Sequence, residues 1–136
     1  MLLLFLNQCT MKEIEFILYV SNQERSTMFY RHLLKKKPDL YVDGMTEFQL
    51  LPGVKLGLMP VKVAAKILNN KMLPPSEGDG IPRCELYLKV TNAEKYMQRA
   101  IELGGELICE FAPQDWGDTV GYLADLDGHI IAFAEA

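Results

Sequence analysis

The chain carries an internal repeat whose two copies begin 70 residues apart, and this repeat limits the possible folds more than any other feature. The first copy runs from Glu15 to Arg25 with the sequence EFILYVSNQER, and the second runs from Glu85 to Lys95 with the sequence ELYLKVTNAEK. Each copy is a short apolar segment followed by polar residues. The repeat therefore predicts two structurally similar halves in one chain.

Both copies contain the sequence signature of a helix N-terminus. Ser21 with Glu24, and Thr91 with Glu94, have the spacing of a capping box. In this arrangement the hydroxyl accepts a hydrogen bond from the third helical N–H group, and the glutamate reaches back to the cap. We therefore predict that each copy is a strand that leads into a helix, with Ser21 and Thr91 as the caps.

The pattern after each helix predicts three further strands, so that each half is a β-α-β-β-β module. In the first module the predicted elements are a strand over 14–20, a helix over 22–36 and strands near 39–43, 45–51 and 54–59. In the second module they are a strand over 83–90, a helix over 92–103 and strands over 106–111, 118–125 and 129–135. Asp43-Gly44 and Pro52-Gly53 are turn signals between the strands of the first module. The result is an α+β fold.

The domain organisation follows from where proline and glycine gather. The predicted segments are an N-terminal lead-in over 1–12, the first module over 13–60, a linker over 61–81 with a short helix at 62–70, and the second module over 82–136. Proline and glycine at the linker's edges break regular structure there. We expect the two modules to form one domain, with helices outside and two curled, mixed sheets that form a cleft.

Strand parity predicts which side chains face this cleft. Successive side chains of a strand point to opposite faces, and the more apolar set should face the helix. Phe16, Leu18 and Val20 form that set in the first strand, which leaves Glu15, Ile17 and Tyr19 for the cleft. The same parity places Glu85, Tyr87 and Lys89 of the repeated strand in the cleft.

Composition excludes some functions. A formal charge of −4 over 136 residues gives no basic surface for nucleic acid or for an anionic membrane. The apolar stretch over 1–6 is too short to span a bilayer. Three cysteines without metal-type spacing are typical of a reduced protein, so we expect a cytoplasmic location.

Two sequence motifs resemble the vicinal oxygen chelate superfamily, which includes glyoxalases, extradiol dioxygenases and bleomycin-resistance proteins. The first runs from Val20 to Tyr30, with Ser21-Asn22, Glu24-Arg25-Ser26 and Phe29-Tyr30 as its specific letters. The second runs from Trp116-Gly117-Asp118 to Gly128-His129 and resembles the closing strand–turn–strand of that superfamily. The resemblance covers about residues 13–135 and implies paired β-α-β-β-β modules.

The resemblance also identifies the positions of a metal site. Metal enzymes of the superfamily take a histidine from the first strand and a glutamate from the last strand of each module. These positions here are Glu15, Gly57, Glu85 and Ala132. Glycine and alanine have no metal-binding side chain, and two glutamates alone would hold a hard divalent cation poorly. We therefore expect no metal cofactor, with a divalent cation on Glu15 and Glu85 kept as the alternative.

Glu15 and Glu85 are the main functional candidates. As a pair in the cleft they could hold a cation or share a proton, because nearby like charges raise one pKa. The alternative, which we favour over catalysis, is a ligand contact or an ion pair with a nearby cation such as Lys55, Lys89 or Arg83. The candidate ligand-binding residues combine aromatic or apolar bodies with polar tips, the usual composition of a small-molecule site: Tyr19, Glu47, Met59, Tyr87, Trp116 and Tyr122.

His129 follows Asp127-Gly128 at a predicted turn. We interpret it as a turn residue that satisfies local backbone groups rather than as a metal ligand.

The preferred functional hypothesis is a metal-free protein of the bleomycin-resistance type that binds a small molecule between its modules. The alternative is a lyase or isomerase of the glyoxalase type that uses a divalent cation with Glu15 and Glu85. The resemblance also implies a homodimer, since symmetric pairing would cover the edges of curled sheets.

Overall fold

A computed structural model describes residues 11–69 and 71–136 and contains both predicted modules. The first module comprises β1 (Ile14–Val20), α1 (Gln23–Leu34), β2 (Leu40–Val42), β3 (Met45–Leu51) and β4 (Val54–Pro60). The segment between the modules contains α2 (Val61–Ile67) and a 3-10 helix (Pro75–Gly78). The second module comprises β5 (Glu85–Val90), α3 (Ala93–Glu102), β6 (Glu106–Pro113), β7 (Thr119–Ala124) and β8 (Ile130–Glu135). The predicted α+β fold with tandem modules is confirmed. Most of the predicted lead-in over 1–12 lies outside the described residues.

Each module forms a four-stranded mixed sheet. The strand orders are β1-β4-β3-β2 and β5-β8-β7-β6. The first and last strands of each module pair in parallel, and the other neighbours pair antiparallel. In the first sheet Gly57 lies opposite Ile17 on one side and Glu47 on the other. This register brings one face of β1, β3 and β4 together on the side opposite α1.

The helix sides of both sheets share one apolar core. Its buried members come from both modules and include Phe29, Tyr30, Leu33, Phe48, Leu56, Leu58, Met97, Ala100, Leu123, Ile131 and Phe133. Burying one large apolar side chain stabilises a fold by about 1.5–3 kcal/mol, so the shared core links the modules energetically. Arg99 Nη1 also donates to the carbonyl oxygen of Leu33 at 2.6 Å, which joins α3 to the end of α1.

The helix caps differ from the predicted ones. Asn22, not Ser21, caps α1, and its side chain accepts a hydrogen bond from the Arg25 N–H group at 2.9 Å. Thr91 does not cap α3. The carboxylate of Glu135 accepts from the N–H groups of Asn92 and Ala93, both at 3.0 Å, because β8 runs parallel to β5 and ends beside the helix start.

The β7–β8 turn binds the second module to the first through the buried side chain of Asp125. Tyr30 donates its hydroxyl to Asp125 Oδ2 at 2.6 Å, and both residues are buried. Burial and the neighbouring Asp125 raise the pKa of Tyr30 well above its usual value. Asp125 Oδ1 also accepts from the backbone N–H groups of Asp127 and His129, so one carboxylate shapes the turn and binds the other module.

Asp127 and His129 of the same turn also make hydrogen bonds to the first module. Asp127 Oδ1 accepts from the backbone N–H group of Ser21 at 2.8 Å. His129 Nε2 lies 2.8 Å from the carbonyl oxygen of Tyr19. His129 is thus engaged with backbone groups, as predicted, although its ring reaches across to β1 rather than staying within its own turn.

Several apolar side chains remain exposed at the sheet edges. They are Leu40, Tyr41 and Val42 on β2 and Leu107 and Ile108 on β6. Phe16 lies on the helix side of β1, as predicted, but is 51% exposed, whereas Val20 on the same side is fully buried in the core. Within the two described ranges, no helix combines the length and the apolar character needed to cross a membrane.

Candidate functional site

The two sheets each have a face on the side opposite their helix, and these faces hold the predicted site residues. We call the first open face the surface formed by Glu15, Ile17, Tyr19, Glu47, Lys55, Gly57 and Met59. We call the second open face the surface formed by Glu85, Tyr87, Lys89, Cys109, Tyr122, Ala132 and Ala134, with Trp116 and Asp118 from the β6–β7 loop beside it.

The Glu15 carboxyl group occupies a space that exists because residue 57 is glycine. A β-carbon built at Gly57 would collide with Glu15 Oε2 and press on the Ile17 side chain. Oε2 is buried and has no hydrogen-bond partner among the described residues. An unpaired buried oxygen is costly to ionise because it has lost its water and gained no donor. Glu15 is therefore held where its charged form is disfavoured.

The electrostatic surroundings of Glu15 also disfavour its charged form. Burial and the adjacent Glu47 carboxyl group raise the pKa of Glu15 to about 7, against a smaller lowering by Lys55. The Lys55 ammonium group lies 3.5 Å from Glu13 Oε1 and 3.7 Å from Glu47 Oε1. Glu13 and Glu47 in turn raise the pKa of Lys55. Lys55 is thus shared with two other carboxylates and compensates Glu15 only in part.

A hydrogen-bonded chain of aromatic residues lies at the second open face. The Trp116 indole N–H group donates to the Tyr87 hydroxyl at 3.1 Å, and Tyr87 donates to Asp118 Oδ2 at 2.6 Å. Lys89 Nζ lies 3.5 Å from Asp118 Oδ1. The hydrogen bond from Tyr87, followed by the charge of Lys89, lowers the pKa of Asp118, so this carboxylate stays ionised. Trp116 is 60% exposed yet fixed by its hydrogen bond.

Small residues form the floor beneath these aromatic rings. Val120, Ala132 and Ala134 are fully buried, and Tyr87 and Tyr122 pack against them. Desolvation by this packing, with the nearby charge of Glu85, raises the pKa of Tyr122. The second open face is therefore an aromatic surface with polar tips at its rim.

The structure places Glu15 and Glu85 in separate surroundings. The groups that act on Glu15 are Glu47, Lys55 and Glu13, whereas Glu85 acts on Tyr122. The carboxyl group that neighbours Glu15 is Glu47, a residue that the sequence suggested as a ligand contact but not as a partner of Glu15. The Pro52-Gly53 turn could not have indicated this contact. A regular hairpin with Leu51 opposite Val54 would set Glu47 opposite Leu58, and the register shift between Gln49 and Leu51 sets it opposite Gly57 instead.

Two depressions on the described surface lie away from these residues. One of about 430 Å³ is lined by Lys36, Lys37, Asp39, Gln49, Leu50, Leu51 and Pro52. Another of about 240 Å³ lies between α3 and β6 and is lined by Glu94, Met97, Gln98, Ile101, Leu107, Glu110 and Phe111. Neither of these two depressions is lined by a predicted site residue.

The architecture and the sequence agree with one known family. The family model for the glyoxalase-like domain matches residues 13–136. The chain belongs to the glyoxalase-like domain family. The predicted membership of the vicinal oxygen chelate superfamily is thereby confirmed. No functionally curated protein matches the sequence.

Several solved structures share the fold at low sequence identity. A glyoxalase-related enzyme from Fulvimarina pelagi has 22% identity and a TM-score of 0.76 over 90% of this chain and 86% of its own. A hypothetical protein from S. aureus has 21% identity and a TM-score of 0.75 over 97% and 99%. A glyoxalase/bleomycin resistance protein/dioxygenase family enzyme from Burkholderia phytofirmans has 12% identity and a TM-score of 0.71 over 92% and 97%. These likenesses establish the fold and not the activity.

The residues of this glyoxalase-like domain do not fit the metal site that the superfamily implies. Gly57 and Ala132 stand at the last-strand positions and have no donor atoms. Glu15, at a first-strand position, faces Glu47 and the cation Lys55. Over 11–69 and 71–136, no group of three or more histidine, cysteine, aspartate or glutamate side chains is placed to hold a metal ion.

Proposed function

We propose that the chain is a small-molecule binding protein of the glyoxalase/bleomycin-resistance superfamily without the superfamily's usual metal site, and that its open faces hold the ligand. The observation that carries this proposal is the exposed but fixed Trp116, which is hydrogen-bonded to Tyr87 beside a floor of small buried residues. Large aromatic side chains with few degrees of freedom bind planar groups at low entropic cost.

The charged groups near Trp116 favour particular ligands. Lys89 lies at the rim, and its side chain is 59% exposed although it contacts Asp118. A ligand with a planar apolar body and one acidic substituent would stack on the aromatic residues and reach this ammonium group.

The single tryptophan of the chain makes this proposal testable by fluorescence. We expect 8-anilinonaphthalene-1-sulfonate, which is planar and anionic, to quench the Trp116 emission on binding. Tyr87→Phe removes the hydroxyl that fixes Trp116, so we expect affinity to fall about fivefold, equivalent to about 1 kcal/mol. Tyr41→Phe, on exposed β2, is the matched control. Equal affinities for Tyr87→Phe and the wild type would contradict the proposal.

The metal-free part of the proposal has its own experiment. Purified protein would be analysed for bound metal and titrated with Ni²⁺, Zn²⁺ and Mn²⁺ while its thermal stability is followed. We expect no stoichiometric metal and no change of Tm with these ions. A stoichiometric metal that is lost on Glu85→Gln would overturn this part.

The alternative function is a glyoxalase-type lyase or isomerase that uses Glu15 and Glu85. None of the described contacts or charge interactions joins these two residues within the chain. We therefore expect no turnover of a hemithioacetal substrate with any of the three ions. Metal-dependent turnover that is abolished by Glu15→Gln would favour the lyase instead.

We further propose a cytoplasmic homodimer. The exposed apolar side chains of β2 and β6 support a second copy as the partner, since symmetric pairing covers equivalent edges on both chains. The free thiols of Cys84 and Cys109 support a reducing compartment. Sedimentation analysis of the wild type and of Tyr41→Asp tests the dimer; a monomeric wild type would contradict it.

A further inference from the structure

Glu15 is the one described residue with a fully buried side-chain oxygen that lacks a hydrogen-bond partner. The atom lies over Gly57, in the volume that any other side chain at position 57 would fill. Gly57 lies opposite Glu47, and the Glu47 carboxyl group approaches Glu15 from β3. Two neighbouring carboxyl groups cannot both ionise at ordinary cost, because like charges at short range repel and Glu15 Oε2 is buried.

The charged groups around this contact come from every strand that packs against it. Glu47 lies on β3, Lys55 on β4, and Glu13 just before β1. Lys55 lies within 3.7 Å of both Glu47 and Glu13, so its charge is shared among the carboxylates. Its compensation of Glu15 is weaker than the combined effect of burial and Glu47. A proton on the Glu15–Glu47 pair therefore belongs mainly on Glu15.

We propose that Glu15 and Glu47 share one proton above Gly57, and that loss of this proton switches the first open face from a hydrogen-bond-donating acid to a surface with two neighbouring carboxylates. While the proton is held, the pair donates to an uncharged acceptor such as a ligand carbonyl oxygen. When a cation binds, the proton passes to solvent and both carboxylates accept. The effect on ligands rests on the proposed binding function, whereas the proton sharing does not.

The proton itself is observable without any ligand. In protein labelled with ¹³C at glutamate Cδ, we expect the Glu15 signal to titrate with a midpoint near pH 7. Glu47→Gln removes the neighbouring charge and should lower the Glu15 midpoint by roughly one pH unit or more. Glu85→Gln, at the equivalent position of the repeat, should leave it unchanged.

Gly57→Ala provides a second variant that keeps both acids. The added β-carbon displaces the Glu15 carboxyl group towards water, so its midpoint should move towards that of an ordinary glutamate, about 4.3. A wild-type Glu15 midpoint between pH 4 and 5 would overturn the proposal. So would a midpoint that Glu47→Gln does not change.

Two probes of the same shape test the effect on binding. Methylguanidinium is a cation and N-methylurea is neutral, and their binding can be followed by the amide signals of Ile17 and Gly57. We expect methylguanidinium to bind about tenfold more tightly at pH 8 than at pH 6, since the required ionised pair grows by about that factor across the midpoint. N-methylurea should not gain affinity over this range.

These outcomes distinguish the proton sharing between Glu15 and Glu47 from its effect on ligand binding. Equal affinity of methylguanidinium at both pH values would overturn the switch. If neither probe binds while Glu15 still titrates near pH 7, the proton sharing stands and the ligand-binding role of the first open face is overturned.

Discussion

Glu15 and Glu85 occupy the same position in the repeat, yet their neighbours give them different chemical properties. In the first module Glu47 lies beside Gly57, and its carboxyl group meets that of Glu15. In the second module Tyr122 lies beside Ala132, and its ring covers the small residue. The residue across the hairpin therefore decides whether the repeated glutamate meets an acid or an aromatic ring.

The acid beside Glu15 makes stability depend on pH. The folded-state pKa of Glu15 is raised to about 7 from 4.5, so the folded chain binds this proton more tightly than the unfolded chain does. The resulting stabilisation is fully present below about pH 4.5 and is lost as pH rises through about 7. We expect the stability advantage of wild type over Glu15→Gln to shrink between pH 5 and pH 8, as measured by urea unfolding.

The Glu85→Gln variant is the control for this measurement, because other titrating groups affect wild type and variants alike. Its free energy of unfolding should follow the wild-type pH dependence. A constant difference between wild type and Glu15→Gln across the range would show that Glu15 does not bind its proton more tightly in the folded chain.

Tyr30 is the second residue for which one side-chain oxygen should affect the free energy of unfolding. Tyr30→Phe removes the hydroxyl that donates to buried Asp125, and leaves this carboxylate without one of its donors. We expect a loss of about 1–3 kcal/mol in the free energy of unfolding. Tyr41→Phe, which removes an exposed hydroxyl, should change stability by less than about 0.5 kcal/mol. Comparable losses in both variants would mean that the contact with Asp125 contributes nothing specific.

At the scale of the elements, the helix starts differ from the sequence prediction and supply a test. Asn22→Ala removes the observed cap of α1 and should cost about 1 kcal/mol, and Glu135→Ala should cost a similar amount at α3. Ser21→Ala and Thr91→Ala remove the predicted caps and should each cost less than about 0.5 kcal/mol. Thermal unfolding measures the stability of all four variants. A larger loss of stability for Ser21→Ala than for Asn22→Ala would support the predicted capping box instead of the observed cap.

The elements themselves were predictable because local pattern and turn residues determine them. Apolar periodicity, Asp43-Gly44 and Pro52-Gly53 placed the strands of the first module within one or two residues of their observed ends. The Glu135 cap was not predictable, since it depends on the parallel pairing of β5 with β8, which are far apart in sequence. The contact between Glu15 and Glu47 depends in the same way on two strand registers and on the absence of a side chain at Gly57.

At the scale of the whole molecule, the shared core predicts that the modules unfold together. Both helix faces contribute to one cluster, and the β7–β8 turn binds the first module through Tyr30. Hydrogen exchange of the buried Phe48 and Leu123 amides, one in each module, should therefore report the same free energy of opening. A distinctly lower value for one of them would mean that its module opens by itself.

Cys109 lies across from Tyr122 in the β6–β7 pairing, and its thiol is free and exposed. A free thiol beside an aromatic surface allows weakly bound fragments to be captured as mixed disulfides and identified by mass. Cys84, also free and exposed but just before β5, offers an internal comparison in the same molecule. Fragments that label Cys109 in preference to Cys84 would report the chemistry that the second open face selects, before any natural ligand has been isolated.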